Sequence, residues 1–534
     1  MATTPTSNGS DRRAKGCLIA AFLWIVILGV LAAGWRMLVQ PRLSDRLARE
    51  TGSASMYQDE ITVAADSFSG YAILRSELVR SDLKARKIKL ALVDDKADYA
   101  ARVDALRQGK VQMAAFTIDS LVTACARAGE FPASIVLVID ETRGGDAIVA
   151  NTNAIPTLQD LNSADARLVL TPDSPSEFFA RTVLAHFQLG RVADSWLVKA
   201  NGAAAVHDAA RRASAAEKRA FVLWEPYVSR ALEKPGMGVL IDSSKLRGFV
   251  VDVLVARREF LRDRPELVRA VIEAHQRAAH AIGQRPDGWV RLVRDDAKAT
   301  GSDRLDDGQA RKVVDGIQWK NTVENYAHFG LTSGVEAGGL PNLEDMIGNI
   351  TGVLVKTKAL PNDPLAGRIA TLFTDRPLAA MRSDRFHPGQ GLNLIDDPAL
   401  TNAASEQVRA EKELASLGAE QWQRLRAVGE LGIDPITFGR ASANLTLDSE
   451  RALDALLHRL EAFPRYYVRV IGHARADGDP EANRALAQAR ADAVVQHLVI
   501  RGFNRNRLRA EASAPRDGGG EAQVVGFFVG EVPY

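Results

Sequence analysis

ASIVLVIDETRGGDAIVAN, residues 133–151, holds two apolar runs separated by a polar break that contains a glycine pair. The first run is rich in Ile, Val and Leu and closes at Asp140; the second opens at Asp146 and closes at Asn151. Runs of this length and composition, bounded by turn residues, read as strands. Further strand candidates flank them: ITVAAD (61–66), IKLALVD (88–94), VQMAAFT (111–117) and ARLVLTP (166–172). Amphipathic segments such as YAILRSELVRSDLKARK (71–87) and YAARVDALRQGK (99–110) lie between these runs. Strands alternating with helical patterns specify an α/β fold, expected here with mostly parallel sheets. A helical stretch running from DRPELVRAVIEAHQRAAHAIGQ (263–284) through LEDMIGNITGVLVKTKAL (343–360) completes the region.

At 534 residues the chain exceeds one ordinary core, and its length suggests about two to four domains. The 46% apolar and 25% charged fractions are those of globular protein. Lys+Arg 68 against Asp+Glu 66 leaves a net charge of +2, so no bulk field points to nucleic acid. The two cysteines, Cys17 and Cys125, form neither a disulfide nor a zinc pattern in this reading. There is no phosphate-binding P-loop, nucleophile elbow or metal-spaced histidine cluster, and the glycines of RGGD (143–146) lack a strand–turn–helix phosphate context. The sequence therefore reads as a binding protein and not an enzyme, with no cofactor and no metal.

Cys17 to Gly34 carries no charge, follows Arg12, Arg13 and Lys15, and ends beside Trp35. About 18 apolar residues just reach across a bilayer core. The basic flank gives an N-in orientation. The expectation is an uncleaved single-pass anchor in the inner membrane with the bulk of the chain in the periplasm; a cleaved signal peptide is the competing reading. The expected organisation is a cytoplasmic N-terminus at 1–16, the transmembrane anchor at 17–35 and a stalk at 36–59. A two-lobed domain follows at 60–360, then a linker, or a return across the first domain, at 361–405. A connecting helix at 406–430 leads to a small βαβαβ domain at 431–534.

Residues 60–360 resemble the periplasmic substrate-binding proteins of the nitrate/sulfonate/taurine and thiamine-pyrimidine type. The resemblance is carried by SFSGYAILRSEL (67–78), ALRQGKVQMAAFTIDSL (105–121), VIDETRGGDAIVAN (138–151), PTLQDLN (156–162), FVLWEPYVSRAL (221–232) and FVVDVLVARREFLRDRPELV (249–268). It implies two α/β lobes joined by crossings near Asp140–Asp146 and Asp242–Asp252 that close on a solute. Ser69 and Gly70, with Tyr71, stand at one helix start, and Ser174 and Ser176 at another, where unpaired N–H groups suit an oxyanion. Ordinary N-capping accounts for each serine taken singly. Thr117 and Asp119 follow a strand, and Trp224 and Glu225 offer an aromatic wall and a charged clamp. Asp146 either joins the site or fixes the hinge. A small organic or inorganic anion is the family expectation, but Asp119, Asp146 and Glu225 leave the ligand's sign open.

Residues from Ile436 onward resemble the OmpA-like domain of outer-membrane proteins, carried by Phe438, Gly472–His473, Asn483, Leu486, Arg490 and LVIRGFNRNRL (498–508). The resemblance implies peptidoglycan binding through stem-peptide acid groups. Arg490 would clamp a carboxylate, with Asn483 on the same helical face. The family's turn carries an Asp where this chain has Arg475, which leaves Asp477 or Asp479 to meet the ammonium, or else a scaffold with altered binding. The whole then reads as a membrane-anchored envelope receptor linked to an ABC-type permease or to sensing. The alternative is a structural tether whose solute-binding fold carries no transported ligand.

Overall fold

The computed structural model describes residues 56–187, 189–302, 304–332, 340–389, 414–428, 436–439, 441–473, 479–513 and 524–532. The expected cytoplasmic N-terminus, the anchor and nearly all of the stalk lie outside these residues. Two compact units divide the chain. In the smaller, Met1–Glu60 with Leu83–Leu90, the Gln58 N–H donates to the Lys87 carbonyl at 2.7 Å and Lys89 pairs with Glu60 at 3.2 Å. The larger, Ile61–Asp82 with Ala91–Tyr534, holds the features that follow apart from Asp59, Glu60 and Ile88–Leu90, which open two strands of the first sheet.

Among the described residues, eleven strands build two sheets. The first contains β1 (Asp59–Ala64), β2 (Ile88–Val93), β3 (Met113–Thr117), β4 (Ala133–Thr142), β10 (Val251–Arg257) and β11 (Ile317–Trp319), in the order β11-β4-β10-β3-β1-β2. The second contains β5 (Asp146–Asn151), β6 (Arg167–Leu170), β7 (Leu197–Lys199), β8 (Arg219–Trp224) and β9 (Met237–Asp242), in the order β7-β6-β8-β5-β9. Every residue of β3, β4 and β5 is buried, which is why these strands read as unbroken apolar runs instead of alternating ones. Ala147, Val149, Val169, Phe221 and Leu223 of the second sheet pack with Val206, Ala210 and Val228 from its helices.

The chain passes between the sheets twice, through 143–145 after β4 and through 243–250 before β10. Neither passage contains an α-helix, and this alters the strand directions. β1 and β3 are parallel, as are β6 and β8, because a helix joins strands of one sheet. β10 arrives directly from the other lobe and runs antiparallel to both β3 and β4, and β5 is antiparallel to β8 and β9. The sheets are mixed, not mostly parallel as the alternation suggested.

The described part of 361–405 lies along the first lobe. Leu372 and Phe373 lie against Ile135 of β4, and Leu378 and Met381 of the helix Arg376–Ser383 are buried. Where a helix was expected over 406–430, the described residues hold a helix only at Ala419–Arg424, followed by β12 (Arg426–Ala427).

A third sheet adds β13 (Ile436–Thr437), β14 (Tyr467–Gly472), β15 (Leu508–Ala512) and β16 (Val524–Glu531), in the order β12-β16-β14-β15 with β13 also on β16. The helices Leu447–Glu461 and Pro480–Ile500 bury Leu453, Leu460, Ala491, Val494 and Leu498. β15, parallel to β14, is absent from the βαβαβ pattern read in sequence, since LRAEA has no β-branched residue to announce it. Gly472 ends β14 where the long helix passes closest. A Cβ there would stand 1.9 Å from the Ala487 carbonyl oxygen. Gly472→Ala is expected to destabilise the protein by about 2–3 kcal/mol, because backbone must move to admit the methyl; urea unfolding followed by circular dichroism measures it.

The third sheet's domain meets the second passage between the lobes. The Arg247 N–H donates to the Ala462 carbonyl at 2.7 Å, and Lys245 pairs with Glu531 at 3.0 Å with both side chains buried. Phe187 lies edge-on to Phe463 and Tyr466, at 6.0 and 6.2 Å between ring centroids.

Candidate functional site

A cavity of about 560 Å³ is lined by residues of both lobes. Ser69, Tyr71 and Thr117 come from the first lobe, and Asp146, Ser174, Ser176, Trp224 and Glu225 from the second. The two helix starts singled out in sequence therefore open on one space. They are not alike. Ser69–Tyr71 is a 3-10 turn running into the four-residue helix Ala72–Arg75, whereas Ser174 precedes the twelve-residue helix Pro175–His186 with Pro175 at its first position.

Gly70 and Asp119 are not among the residues lining this cavity. Gly70 lies behind its turn, where a Cβ would meet Asp140 Oδ2 and Phe68 Cε1, each at 2.3 Å, so only glycine fits. Asp119 lines a neighbouring cavity of about 600 Å³ together with Arg127, Asp173 and Arg181. Burial pushes its carboxyl up to about 6, against the hydrogen bonds of Thr117 and Ser120.

Two arginines fix the loop 66–71. Arg75 holds Asp296 at 2.7 Å and donates to the carbonyls of Asp66 and Phe68. The fully buried Arg102 pairs with Asp66 at 3.0 Å and with Asp95, and donates to the Ala115 carbonyl. Tyr71 donates to Asp252 Oδ1. Burial, reinforced by Asp252 and Asp66, holds the Tyr71 hydroxyl far above its usual range, so it remains a donor.

In the second lobe the Ser174 hydroxyl donates to the Thr171 carbonyl at 2.6 Å, which fixes the entry to the helix. The Ser176 hydroxyl, 1% exposed, and the Thr171 hydroxyl line the cavity without a hydrogen-bond partner among the described residues. Glu225 accepts from the Ser229 hydroxyl at 2.8 Å and from the Ser229 N–H at 3.2 Å, so it caps its own helix as well as facing the space. Asp146 pairs with Trp224 in the register of β5 and β8, and its backbone N–H donates to the Ser243 hydroxyl at 3.2 Å. It thus meets both readings made of it, at the cavity wall and at a passage between lobes. Burial, with Asp119 adding to it, pushes its carboxyl up to about 7.

Sequence reasoning missed Asp252 and Asp140. They stand opposite each other on β10 and β4; burial raises both carboxyls, and the Asp140 charge adds to the rise at Asp252. The available signal was a lone acid inside an apolar strand, VVDVLVA at 250–256, which marks a buried polar group in need of a partner.

In the C-terminal domain Arg490 is 1% exposed and inserted among loops. It donates to the carbonyls of Ser442 (2.9 Å), His473 (3.1 Å) and Gly439 (3.0 Å), and lies 5.5 Å from the Phe438 ring centroid. Asn483 is half-buried on the same helix. Asp479 is exposed and caps that helix by accepting from the Glu481 N–H at 3.0 Å. Asp477 and Arg475 lie outside the described residues.

Residues 84–288 match the family model described as NMT1/THI5 like, and residues 437–519 match that of the OmpA family. Each match covers less than half of the chain, and the fold that holds the first of them is mixed α/β. Over 76 residues, 14% of this chain, it is 37% identical to the peptidoglycan-associated lipoprotein of Rhizobium meliloti (strain 1021) and 36% identical to that of Brucella melitensis biotype 1. The matched stretch spans 43% and 45% of those proteins, less than half of their length. Among solved structures, the aliphatic sulphonate binding protein SsuA from Escherichia coli is similar with a TM-score of 0.44 and 17% identity, over 60% of this chain and 99% of that one. The nitrate-binding protein NrtA from Synechocystis PCC 6803 has a TM-score of 0.43 and 13% identity, over 64% and 90%.

The inner-membrane placement is corrected by these findings. Among the described residues no helix is long and apolar enough to cross a membrane, and the run 17–35 on which that placement rested lies outside them. The relatives that match the C-terminal domain bear the name of peptidoglycan-associated lipoproteins.

Proposed function

We propose that this chain is a solute receptor of the cell envelope. Its two-lobed module, 60–360, takes a small molecule, and its OmpA-like module, 431–534, contacts peptidoglycan. The segments 361–405 and 406–430 connect the two modules, and bound solute is delivered to an ABC-type permease or a sensor. The observation that carries the reading is the cavity of about 560 Å³, lined from both lobes and flanked by the two passages at 143–145 and 243–250. Chain passages of this kind act as hinges when lobes close on a ligand. The match of residues 437–519 to the OmpA family supports the wall contact, as does the name borne by the relatives.

Thermal unfolding against a solute panel tests the first half. A solute at 100 times its dissociation constant adds about 2.7 kcal/mol to the folded state. Co-sedimentation with purified sacculi tests the second half, and protein left in the supernatant would remove the wall contact.

A further inference from the structure

We infer that the cleft between the two lobes takes a small organic cation, a protonated amine carried on an apolar or aromatic body, and not an oxyanion. The inference rests on the solute-receptor reading and names the ligand's chemical class. Among the described residues, five carboxylates line the cavity, those of Asp66, Asp94, Asp146, Glu225 and Asp252, against one cationic side chain, that of Lys96. Arg75 and Arg102, on the elements behind the loop 66–71, are already engaged by Asp296 and by Asp66 and Asp95.

Asp146 and Asp252 decide the sign. Asp146 is 5% and Asp252 1% exposed, they come from different lobes, and both line the same space. An oxyanion entering between them would have to sit against two buried carboxyls, with the helix start at Ser174–Ser176 to offset them but no arginine among the described residues that line the cavity. An ammonium would meet two acceptors and would relieve the repulsion that Asp252 shares with Asp140. The Ser176 hydroxyl, buried at the cavity wall and without a partner among the described residues, supplies an acceptor for a further ammonium N–H. Tyr71, Tyr99, Trp224 and Tyr227 also line the cavity, and aromatic faces attract cations as well as apolar bodies.

Protonated acids could donate to an anion, and the pH response separates that case. The groups around the acids are Asp119 beside Asp146, and Tyr71, Asp66, Asp119, Glu141 and Lys320 around Asp140 and Asp252. Lys320 and the hydrogen bond that Tyr71 donates to Asp252 favour ionisation, but burial outweighs them, so the acids retain protons near neutral pH until a cation displaces them. Cation binding therefore tightens as pH rises, and anion binding to protonated acids weakens.

The test is thermal unfolding of the full chain, dialysed from mild denaturant and refolded, at pH 6 and pH 8. The probes are putrescine, spermidine, choline and phenethylamine, set against ethanesulfonate, nitrate and sulfate. At least one amine is expected to raise Tm, and to do so more at pH 8 than at pH 6. Asp146→Asn and Asp252→Asn should each weaken that amine at least tenfold by calorimetry while circular dichroism stays unchanged. If the anions raise Tm and the amines do not, the cation assignment is overturned and the receptor reading stands. If no probe of either sign raises Tm, both fall.

Discussion

Lys320→Met is expected to destabilise the protein by about 3–5 kcal/mol, because it strips the partner from a carboxylate that cannot reach water. Lys320 is 1% exposed, and its Nζ lies 3.1 Å from Glu141 Oε2 and 3.0 Å from Gln318 Oε1. Glu141 Oε1 accepts the Gly248 N–H at 2.7 Å, while Arg143 stands 3.8 Å away. Burial would raise the Glu141 carboxyl, but Lys320, Arg143, Arg247 and the Gly248 N–H together outweigh it, and the group falls to about 2. Glu141 stands one residue before the end of β4, next to one passage between the lobes, and Gly248 lies in the other, so the carboxylate that Lys320 holds ties both passages together.

The sign of the pH response follows from that depressed carboxyl. Its contribution is present above the unfolded value near 4.5 and is lost as pH falls through about 2. The gap between wild type and Lys320→Met, read from urea unfolding at several pH values, should therefore be full at pH 6 and close as pH approaches 2. Adding Glu141→Gln to Lys320→Met should recover part of the loss, because the pair is then removed together. A double variant as unstable as the sum of the singles would show that the two residues do not act on each other.

Much of this architecture was legible because local pattern carries it. The glycine pair between Asp140 and Asp146 breaks an apolar run where the chain leaves one sheet for the other, and the serines that open helices sit at the cavity because strands end there. Pairing across the sheet was not legible. Asp140 and Asp252 become neighbours only through the register of β4 with β10, and no single stretch of sequence states that register. The direction of β10 was hidden for a related reason: the strand looks the same whichever lobe delivers it. Lys320 meets Glu141, far away in sequence, only through the fold. Gly70 was singled out as a donor near a ligand, yet its conspicuous contact is with Asp140, a steric demand that only packing reveals.

Arg490 shows the same difference between pattern and packing, and Arg490→Ala is expected to destabilise the C-terminal domain by about 3–5 kcal/mol. Sequence marks the residue as a carboxylate clamp. In the fold, three of its five N–H donors go to the carbonyls of Gly439, Ser442 and His473, on two separate loops. Truncation would leave those acceptors without their donor and open a cavity beneath Phe438, so the loops should loosen together. Burial lowers the guanidinium's proton affinity, but an arginine stays charged, and the carbonyl oxygens solvate that charge. Hydrogen exchange localises the effect: protection should fall in Pro480–Ile500 and β14 and persist in β4 and β10. Co-sedimentation with sacculi should fall in proportion to the unfolded fraction. Arg490→Lys, which keeps the charge but cannot reach three carbonyls at once, should lie between wild type and Arg490→Ala in both assays. If Arg490→Ala instead keeps full protection while sedimentation is lost, the guanidinium acts on the ligand through its two remaining donors and the brace is dispensable. If protection and sedimentation are both unchanged, neither role holds.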